Sequence, residues 1–354
     1  MPGNLILKPL TPDPDSGIKP GPAPTVSVII PCYNGAAFLR ETVDSALRQT
    51  IPPLDVIVVD DGSTDDSAAI AESYGPLVRV IRQRNQGESV ARNVGIAAAR
   101  GDYLMFLDAD DLLAPDALQK LAIAIRDVPQ GVALMGFATF ESDPSIPLTV
   151  STPTWSGFFP GIIQTNPGFP HCWLTSKAMV LRAGGFTTTM QNSEDWEFCA
   201  KLALAGGVLI PLNYVGAYYR RHAKSQSSVM SKVNRARGHV EVMLTLGRGI
   251  LAQKALLEQY GDQIFWGART ILQIGRSAGL SWTELRPLRR IIRDLILLGP
   301  DSIRETRSAK LIRWIGTPLA ETVRNWMVSD RRKVPKSRQL GVQTKEELNV
   351  HSAS

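Results

Sequence analysis

Four short apolar runs, residues 26–30, 54–59, 78–81 and 103–107, constrain this chain more than any other feature. The first three are rich in Val and Ile, and the four end at Pro31, Asp60-Asp61, Arg82 and Asp108. Runs that are mostly apolar, broken only by Ser27, Asp55 and Arg79, fit strands covered on both faces, as in a parallel sheet. Between them lie segments with helical spacing: 37–49 (Phe38, Val43, Ala46, Leu47), 66–74 and 87–100. Strand–helix alternation at this interval predicts an α/β, doubly wound, mostly parallel central sheet. A helix over 116–127, a strand over 131–140, a helix over 196–205 and a strand over 208–210 extend the pattern. Residues 141–170 are rich in Pro, Ser and Thr and include Trp155, Phe158, Phe159 and Phe169, which reads as a long surface excursion. Compact structure resumes from Met179 to Asp195, with Gly184-Gly185 as a turn.

In sheets of this kind a ligand lies beyond the carboxyl ends of the strands. Here those ends carry Cys32-Tyr33-Asn34, Asp60-Asp61 and Asp108-Ala109-Asp110-Asp111. Carboxylates this close repel and raise one another's pKa, and a divalent cation with oxygen ligands removes that repulsion. Asp108 and Asp110 are therefore the candidate metal ligands, with capping of the following helix as the alternative. Asp111 and Asp116 read as capping and decorating that helix after Pro115. Asp65 and Asp66 read as helix N-terminal acids, whereas Asp60 and Asp61 are placed to accept from a base N–H or a ribose hydroxyl. Glu194-Asp195 is either another pair of helix N-terminal acids or a general base in a cleft. Arg92-Asn93 and Arg220-Arg221-His222 are candidate phosphate partners, although each alone reads as solvated surface charge.

The net charge of +6 is unevenly distributed. Residues 1–230 hold 17 Lys and Arg against 22 Asp and Glu, and residues 231–354 hold 22 against 11. The last third is thus basic, which suggests contact with an anionic surface. After about residue 229 the pattern turns helical. Leu285, Leu288, Ile291, Ile292, Leu295 and Ile296 fall on one face, and Arg286, Arg289, Arg290 and Arg293 largely on the other. That arrangement fits a helix lying on an anionic membrane, or a helical cap with a solvated basic face. Residues 311–315 and Trp326 add amphipathic material. No apolar run reaches the roughly 18–20 residues that span a bilayer, and the N-terminus does not read as a secretory signal. Seven prolines within residues 1–24 predict an extended lead-in. Cys32, Cys172 and Cys199 show no paired spacing, so reduced thiols in a cytoplasmic setting are expected.

Five blocks in order resemble a family 2 glycosyltransferase of the GT-A fold, within the nucleotide-diphospho-sugar transferases. They are residues 26–35; 58–65, with Asp60-Asp61-Gly62-Ser63; Asn85-Gln86-Gly87 with 91–95; 101–111, with Asp108-Ala109-Asp110; and Gly184-Gly185-Phe186 followed by Glu194-Asp195-Trp196. The resemblance covers residues 26–228. It implies a catalytic domain at 25–229, a basic helical region at 230–330 and a disordered tail at 331–354. Pro31, Tyr33 and Asp61, with Asp60 beside it, would line the base and ribose pocket, and Arg92 would lie near the phosphates. Asp108 and Asp110 would form the DxD motif, with Asp110 the direct ligand of Mg2+ or Mn2+. Asp195 would be the catalytic base of an inverting displacement, Glu194 would position the acceptor or hold Asp195, and His222 would close over the diphosphate or metal.

The implied partners are a nucleotide-sugar, a UDP-sugar foremost, and a glycan or lipid-linked acceptor in cell-surface glycan or polysaccharide biosynthesis. No nucleic acid is expected. The implied location is cytoplasmic, peripheral on the inner face of the plasma membrane through residues 285–315. The Gln-x-x-Arg-Trp signature and membrane spans of processive synthases are absent from the sequence, which favours addition of one or a few sugars. His171-Cys172-Trp173 falls where such enzymes build the acceptor side, but it matches no acceptor class. Trp173 or Trp155 could stack on a sugar, although single aromatics of this kind more often belong to a core. Two other readings stand beside this one. A metal-dependent nucleotidyltransferase would want a Gly-rich phosphate loop with a Lys, which Cys32-Tyr33-Asn34-Gly35-Ala36 lacks. A non-enzymatic anion-binding protein would act through the basic last third.

Overall fold

The computed structural model describes residues 24–190, 192–223, 225 and 230–304. The Pro-rich lead-in (apart from Pro24), the amphipathic stretch 311–315, Trp326 and the tail 331–354 lie outside the described residues. The described residues fall into two compact units: 24–157 with 168–188 and 205–223, and 158–167 with 189–204 and the described residues from 225 to 304.

The first unit runs β1 (Val26–Cys32), α1 (Leu39–Leu47), β2 (Asp55–Asp60), α2 (Ser67–Glu72), β3 (Val78–Arg82), α3 (Glu88–Ala98) and β4 (Tyr103–Phe106). It continues with β5 (Leu112–Leu113), α4 (Ala117–Ile125), β6 (Gly131–Phe140), β7 (Thr149–Ser151), β8 (Trp173–Ser176), α5 (Lys177–Ala183) and β9 (Val208–Arg220). The strands form one sheet in the order β3-β2-β1-β4-β8-β6-β9-β5, with β7 paired to β6. Its first half is parallel, as β1 pairs with β2 and β4, and β2 with β3. Every residue of β1 and β2 is buried, in keeping with their mostly apolar runs, and Ser27, Asp55 and Asp60 are buried with them. Each Val or Ile so buried contributes about 1.5–3 kcal/mol relative to exposure.

The other half of the sheet was less legible. β8 runs antiparallel between β4 and β6, and β6 then pairs in parallel with β9. The strand expected over 208–210 continues to Arg220 despite Pro211. Proline cannot donate to a ladder, and β9 absorbs it with irregular register opposite Leu134–Gly136 and again opposite Gly136–Phe137. These bulges carry the end of β9 alongside β5, where Leu112 faces Tyr218. The first unit's acidic segment and the residues after β9 thereby become neighbours.

The second unit holds α6 (Glu194–Leu204), α7 (Lys232–Leu251), α8 (Lys254–Ala278), α9 (Arg286–Leu298) and α10 (Asp301–Arg304). Ser231 caps α7, its hydroxyl accepting from the Asn234 N–H at 3.2 Å. On α9, Leu288, Ile291, Ile292, Leu295 and Ile296 are buried, in a helix that packs on α7 and α8, while Arg286, Arg290 and Arg293 are exposed. Of the two readings open in the sequence, the burial of the stripe inside the helical unit fits the helical cap with a solvated basic face. The basic face alone stays on the surface. Among the described residues, no helix is long and apolar enough to cross a membrane.

Candidate active site

In the first unit the acidic cluster sits where β4 ends. The ladder extends one bond further, from the Leu107 N–H to the Ile29 carbonyl at 2.9 Å, and the chain then turns, the Asp111 N–H donating to the Asp108 carbonyl at 3.1 Å. Arg92 comes up from α3 and donates to Asp108 Oδ1 at 2.7 Å, pairs with Glu88, and lies over the Phe186 ring at 5.0 Å. At 2 % exposure it is a buried arginine and not the solvated charge its sequence context suggested. Burial opposes the charged form of Asp108, but the Arg92 guanidinium, helped by His171, outweighs it and holds the carboxyl below its usual value.

Asp110 faces the other way. Its Oδ2 lies 2.8 Å from His222 Nε2, and the His222 ring is packed at 4.8 Å against Phe38. Burial, joined by the charge of Asp108, raises the Asp110 pKa against the hydrogen bond from His222. Arg220 is a brace: it donates from Nε to the Asp110 carbonyl at 2.9 Å and from Nη2 to Glu41 at 2.6 Å, between the rings of Phe38 and Phe140. Arg220, a candidate phosphate partner in the sequence, thus braces the Asp110 segment from within, and Arg221 beside it is exposed.

Asp111 was read as helix decoration, yet it is fully buried. Its Oδ1 accepts from the Arg220 N–H at 2.7 Å, and its Oδ2 lies 3.1 Å from His171 Nδ1. Burial, with the charges of Asp110 and Asp108, pushes its pKa well up. His171 is also fully buried, its ring near-parallel to Phe169 and Tyr219 at 5.6 and 6.2 Å. Its Nδ1 is 3.9 Å from Asp108 Oδ2, so Asp108, Asp111 and His171 form one cluster of potential ligand atoms. Trp173 is 2 % exposed, a core residue and not a sugar platform.

The loops after β1, β2 and β3 are tied together by side chains. Asp61 is nearly buried: its Oδ1 accepts from Gln83 Nε2 at 2.7 Å and the Gln86 N–H at 2.9 Å, and its Oδ2 from the Gly87 N–H at 2.8 Å. Asp60 is occupied by the turn, accepting from the Ser63 N–H at 3.1 Å, with Arg82 Nε at 3.5 Å. Gly62 has φ +78°, and a Cβ there would lie 2.8 Å from the Asn85 nitrogen, so only glycine closes this turn. Asn34 links the first loop to the second, accepting at Oδ1 from the Thr64 N–H at 2.8 Å. Beside it Tyr33 stands 53 % exposed, while Pro31 is buried in β1.

In the second unit Glu194 and Asp195 open α6, where carboxylates answer the unpaired N–H groups of the first turn. Glu194 is buried and Asp195 half-buried. Asp195 Oδ2 accepts from Asn166 Nδ2 at 2.7 Å, and Oδ1 from the Trp196 N–H at 2.7 Å. Ser193, just before the pair, has φ +60°. Gly238 of α7 makes room for it: a Cβ there would meet Ser193 Oγ at 2.6 Å and the Asn192 carbonyl at 2.8 Å.

The model of the family described as "Glycosyl transferase family 2" matches residues 27–182, which contain β1 to β8 and the Asp108–Asp111 cluster. This part of the chain belongs to glycosyl transferase family 2. The chain is 42% identical over 123 residues to the uncharacterized glycosyltransferase EpsJ of Bacillus subtilis, in an alignment covering 34% of this chain and 36% of that relative. It thus matches about a third of that relative's length. S. aureus TarS in complex with UDP-GlcNAc superposes with a TM-score of 0.60 at 21% identity, over 87% of this chain and 89% of that one. The mannosyltransferase PcManGT from Pyrobaculum calidifontis, in complex with GDP-Man and Mn2+, gives 0.51 at 20% identity, over 89% and 86%. At such identities these likenesses speak for the fold, which is of the GT-A type.

Asp110 Oδ2 and His222 Nε2 are an oxygen and a nitrogen at one point, with side chains 33% and 23% exposed. They leave room for diphosphate oxygens and water, as Mg2+ and Mn2+ require. Burial and the charge of Asp108 raise the pKa of Asp110, and a nearby cation would favour its charged form. The residues fit a divalent cation there. Asp108 is already engaged by Arg92, so the two carboxylates of the DxD divide between a guanidinium and the open side.

His171 carries a pH signature. Burial, partly offset by Asp108 and reinforced by Arg92, lowers its pKa from 6.5 to about 4. The unfolded chain therefore takes up this proton first, and the contribution of His171 to stability is lost as pH falls from about 6.5 toward 4. Asp110 and Asp111 shift the opposite way, so the difference between proteins is the informative quantity. The stability advantage of wild type over His171→Phe, from urea denaturation, is expected to shrink by on the order of 3 kcal/mol across that window. An advantage that does not change with pH would refute it.

Proposed function

We propose that this chain is an inverting, non-processive glycosyltransferase that moves one sugar from a nucleotide-diphospho-sugar to an acceptor hydroxyl of a cell-surface glycan or lipid-linked precursor. The observation that carries the reading is the Asp110–His222 pair at 2.8 Å, at the end of the central parallel strand of a family 2 domain and next to the Arg92-bound Asp108. Pro31, Tyr33 and Asp61 are assigned to the base and ribose. Arg92 is assigned to the phosphates through Asp108, and Asp60 to the turn that shapes the pocket wall. Asp110 and His222 would hold Mg2+ or Mn2+, which when bound supplies Lewis-acid stabilisation of the departing diphosphate.

Asp195, supported by the resemblance of Glu194-Asp195-Trp196 and by its half-exposed carboxylate, acts as general base. It takes the proton of the acceptor hydroxyl while that oxygen bonds to the anomeric carbon. The bond from the anomeric carbon to the diphosphate oxygen breaks, and its electron pair leaves with the nucleotide. One displacement inverts the anomeric centre. Glu194, buried beside Asp195, is assigned to holding it. The exposed Arg286, Arg290 and Arg293 of α9 support docking on an anionic membrane surface by charge, with a cytoplasmic location on its inner face.

A UDP-sugar is the expected donor, in keeping with the UDP-GlcNAc of the TarS complex, and GDP-sugars are the alternative, as in the PcManGT complex. A thermal-shift screen of UDP-, GDP- and dTDP-sugars with and without Mn2+ tests this. Ligand at 100 times its Kd adds about 2.7 kcal/mol to the folded state, so one nucleotide class should raise the midpoint, and more so with Mn2+. No shift with any member would overturn the proposal.

A further inference from the structure

We propose that Asn166 is a positioning residue for the base: its amide orients the Asp195 carboxylate and stabilises its anionic form. The inference deepens the assignment of Asp195 as base and rests on that reading. It starts from a bond between distant parts of the sequence, Asn166 Nδ2 donating to Asp195 Oδ2 at 2.7 Å. A donor to a charged acceptor at this distance is the strong class of hydrogen bond.

Asn166 is not a loop residue free to drift. It lies in residues 158–167, which belong to the same compact unit as α6 and the C-terminal helices. That strap is pinned along its length. Phe159 stacks on Tyr260 of α8 at 4.7 Å, Ile162 and Ile163 are buried, and Trp196 Nε1 donates to the Ile162 carbonyl at 2.9 Å. Opposite it, α7 receives the start of α6 at Gly238, where only a hydrogen fits against residues 192 and 193. The carboxylate is thus fixed through its backbone by α7 and through its Oδ2 by the strap. Asp195 Oδ1 takes the N–H of the next residue, and the Asn166 amide, which reaches Oδ2 from a distant segment, bears directly on the plane of the group. A general base works only in the geometry that meets the hydroxyl proton, and fixing that plane is a contribution to turnover rather than to donor binding.

The test compares Asn166→Ala and Asn166→Asp in the full chain. The rate read is nucleotide release with water as acceptor, in Mn2+, from whichever of the UDP-, GDP- and dTDP-sugars the protein turns over. Asn166→Asp has nearly the same size but offers Asp195 a like-charged acceptor in place of a donor. Both variants are expected to lose about 10- to 100-fold in kcat, as befits the loss of a hydrogen bond to a charged group, with KM for the donor unchanged. A role in packing alone would leave Asn166→Asp at wild-type kcat, and that result would overturn the inference even if Asn166→Ala failed to fold. Asp195→Asn measured in parallel separates the two ideas. If it keeps its turnover, the base assignment falls and this proposal with it. If it loses turnover while both Asn166 variants keep theirs, only this proposal falls.

Discussion

Asp195→Asn is expected to bind nucleotide-sugar as wild type does and to lose about 10^2- to 10^4-fold in kcat, the range that general-base catalysis supplies. The substitution keeps the volume of the side chain and one oxygen, which can accept from Asn166 or from the Trp196 N–H but not from both. It removes the basicity. Because Glu194 and Glu197 remain, the helix keeps two acids in its first turn, and the stability change is expected to stay within about 1 kcal/mol. The measurements are single-turnover nucleotide release and donor affinity on the same preparation. Equal loss in both would mean that Asp195 supports the site instead of taking the proton, and near-normal turnover would remove it from the chemistry.

Asp110→Ala should strike the other half of the reaction. Without this carboxylate His222 keeps only a nitrogen donor, and the Mn2+-dependent rise in donor affinity is expected to vanish. Turnover should drop by roughly 10^3-fold, since Lewis-acid stabilisation of a leaving group is worth several kcal/mol. The metal-free protein should not be destabilised. Burial already disfavours the charged form of Asp110, its pKa being raised in the fold despite the hydrogen bond with His222, so removing the carboxylate takes away a charge that the apo fold does not favour. Isothermal titration with Mn2+ and nucleotide, alongside the thermal midpoint of the apo protein, reads both effects. A variant that still binds nucleotide better in Mn2+ would move the metal to the cluster of Asp108, Asp111 and His171.

The misreadings follow a physical pattern. Asp111 looked like a capping residue because an acid shortly before a helix usually is one. In the fold a turn tucks it inward and the N–H of Arg220, 109 positions away, takes its oxygen. Arg92 looked like surface charge because α3 is only moderately amphipathic, and nothing nearby in sequence announces that Asp108 and Phe186 will enclose it. His171 carried no local signal beyond its apolar neighbours Phe169, Cys172 and Trp173. The apolar stripe of α9 was visible in sequence, but what it packs on was not.

The sequence by itself determined the strand–helix alternation, the burial of β1 and β2, and the chain positions of the carboxylates. These depend on local periodicity and on which residue types end each run, and both are read within a few residues. Only the tertiary structure decided which groups meet. It gave Asp108 to Arg92, Asp110 to His222, Asp111 to His171 and β9, and Asp195 to Asn166. Those pairings depend on strand order, on the bulges of β9 that bring residues 220–222 beside residues 110–111, and on a strap folded onto α6. Each is set by contacts between segments far apart in the chain, where no local pattern can specify the partner.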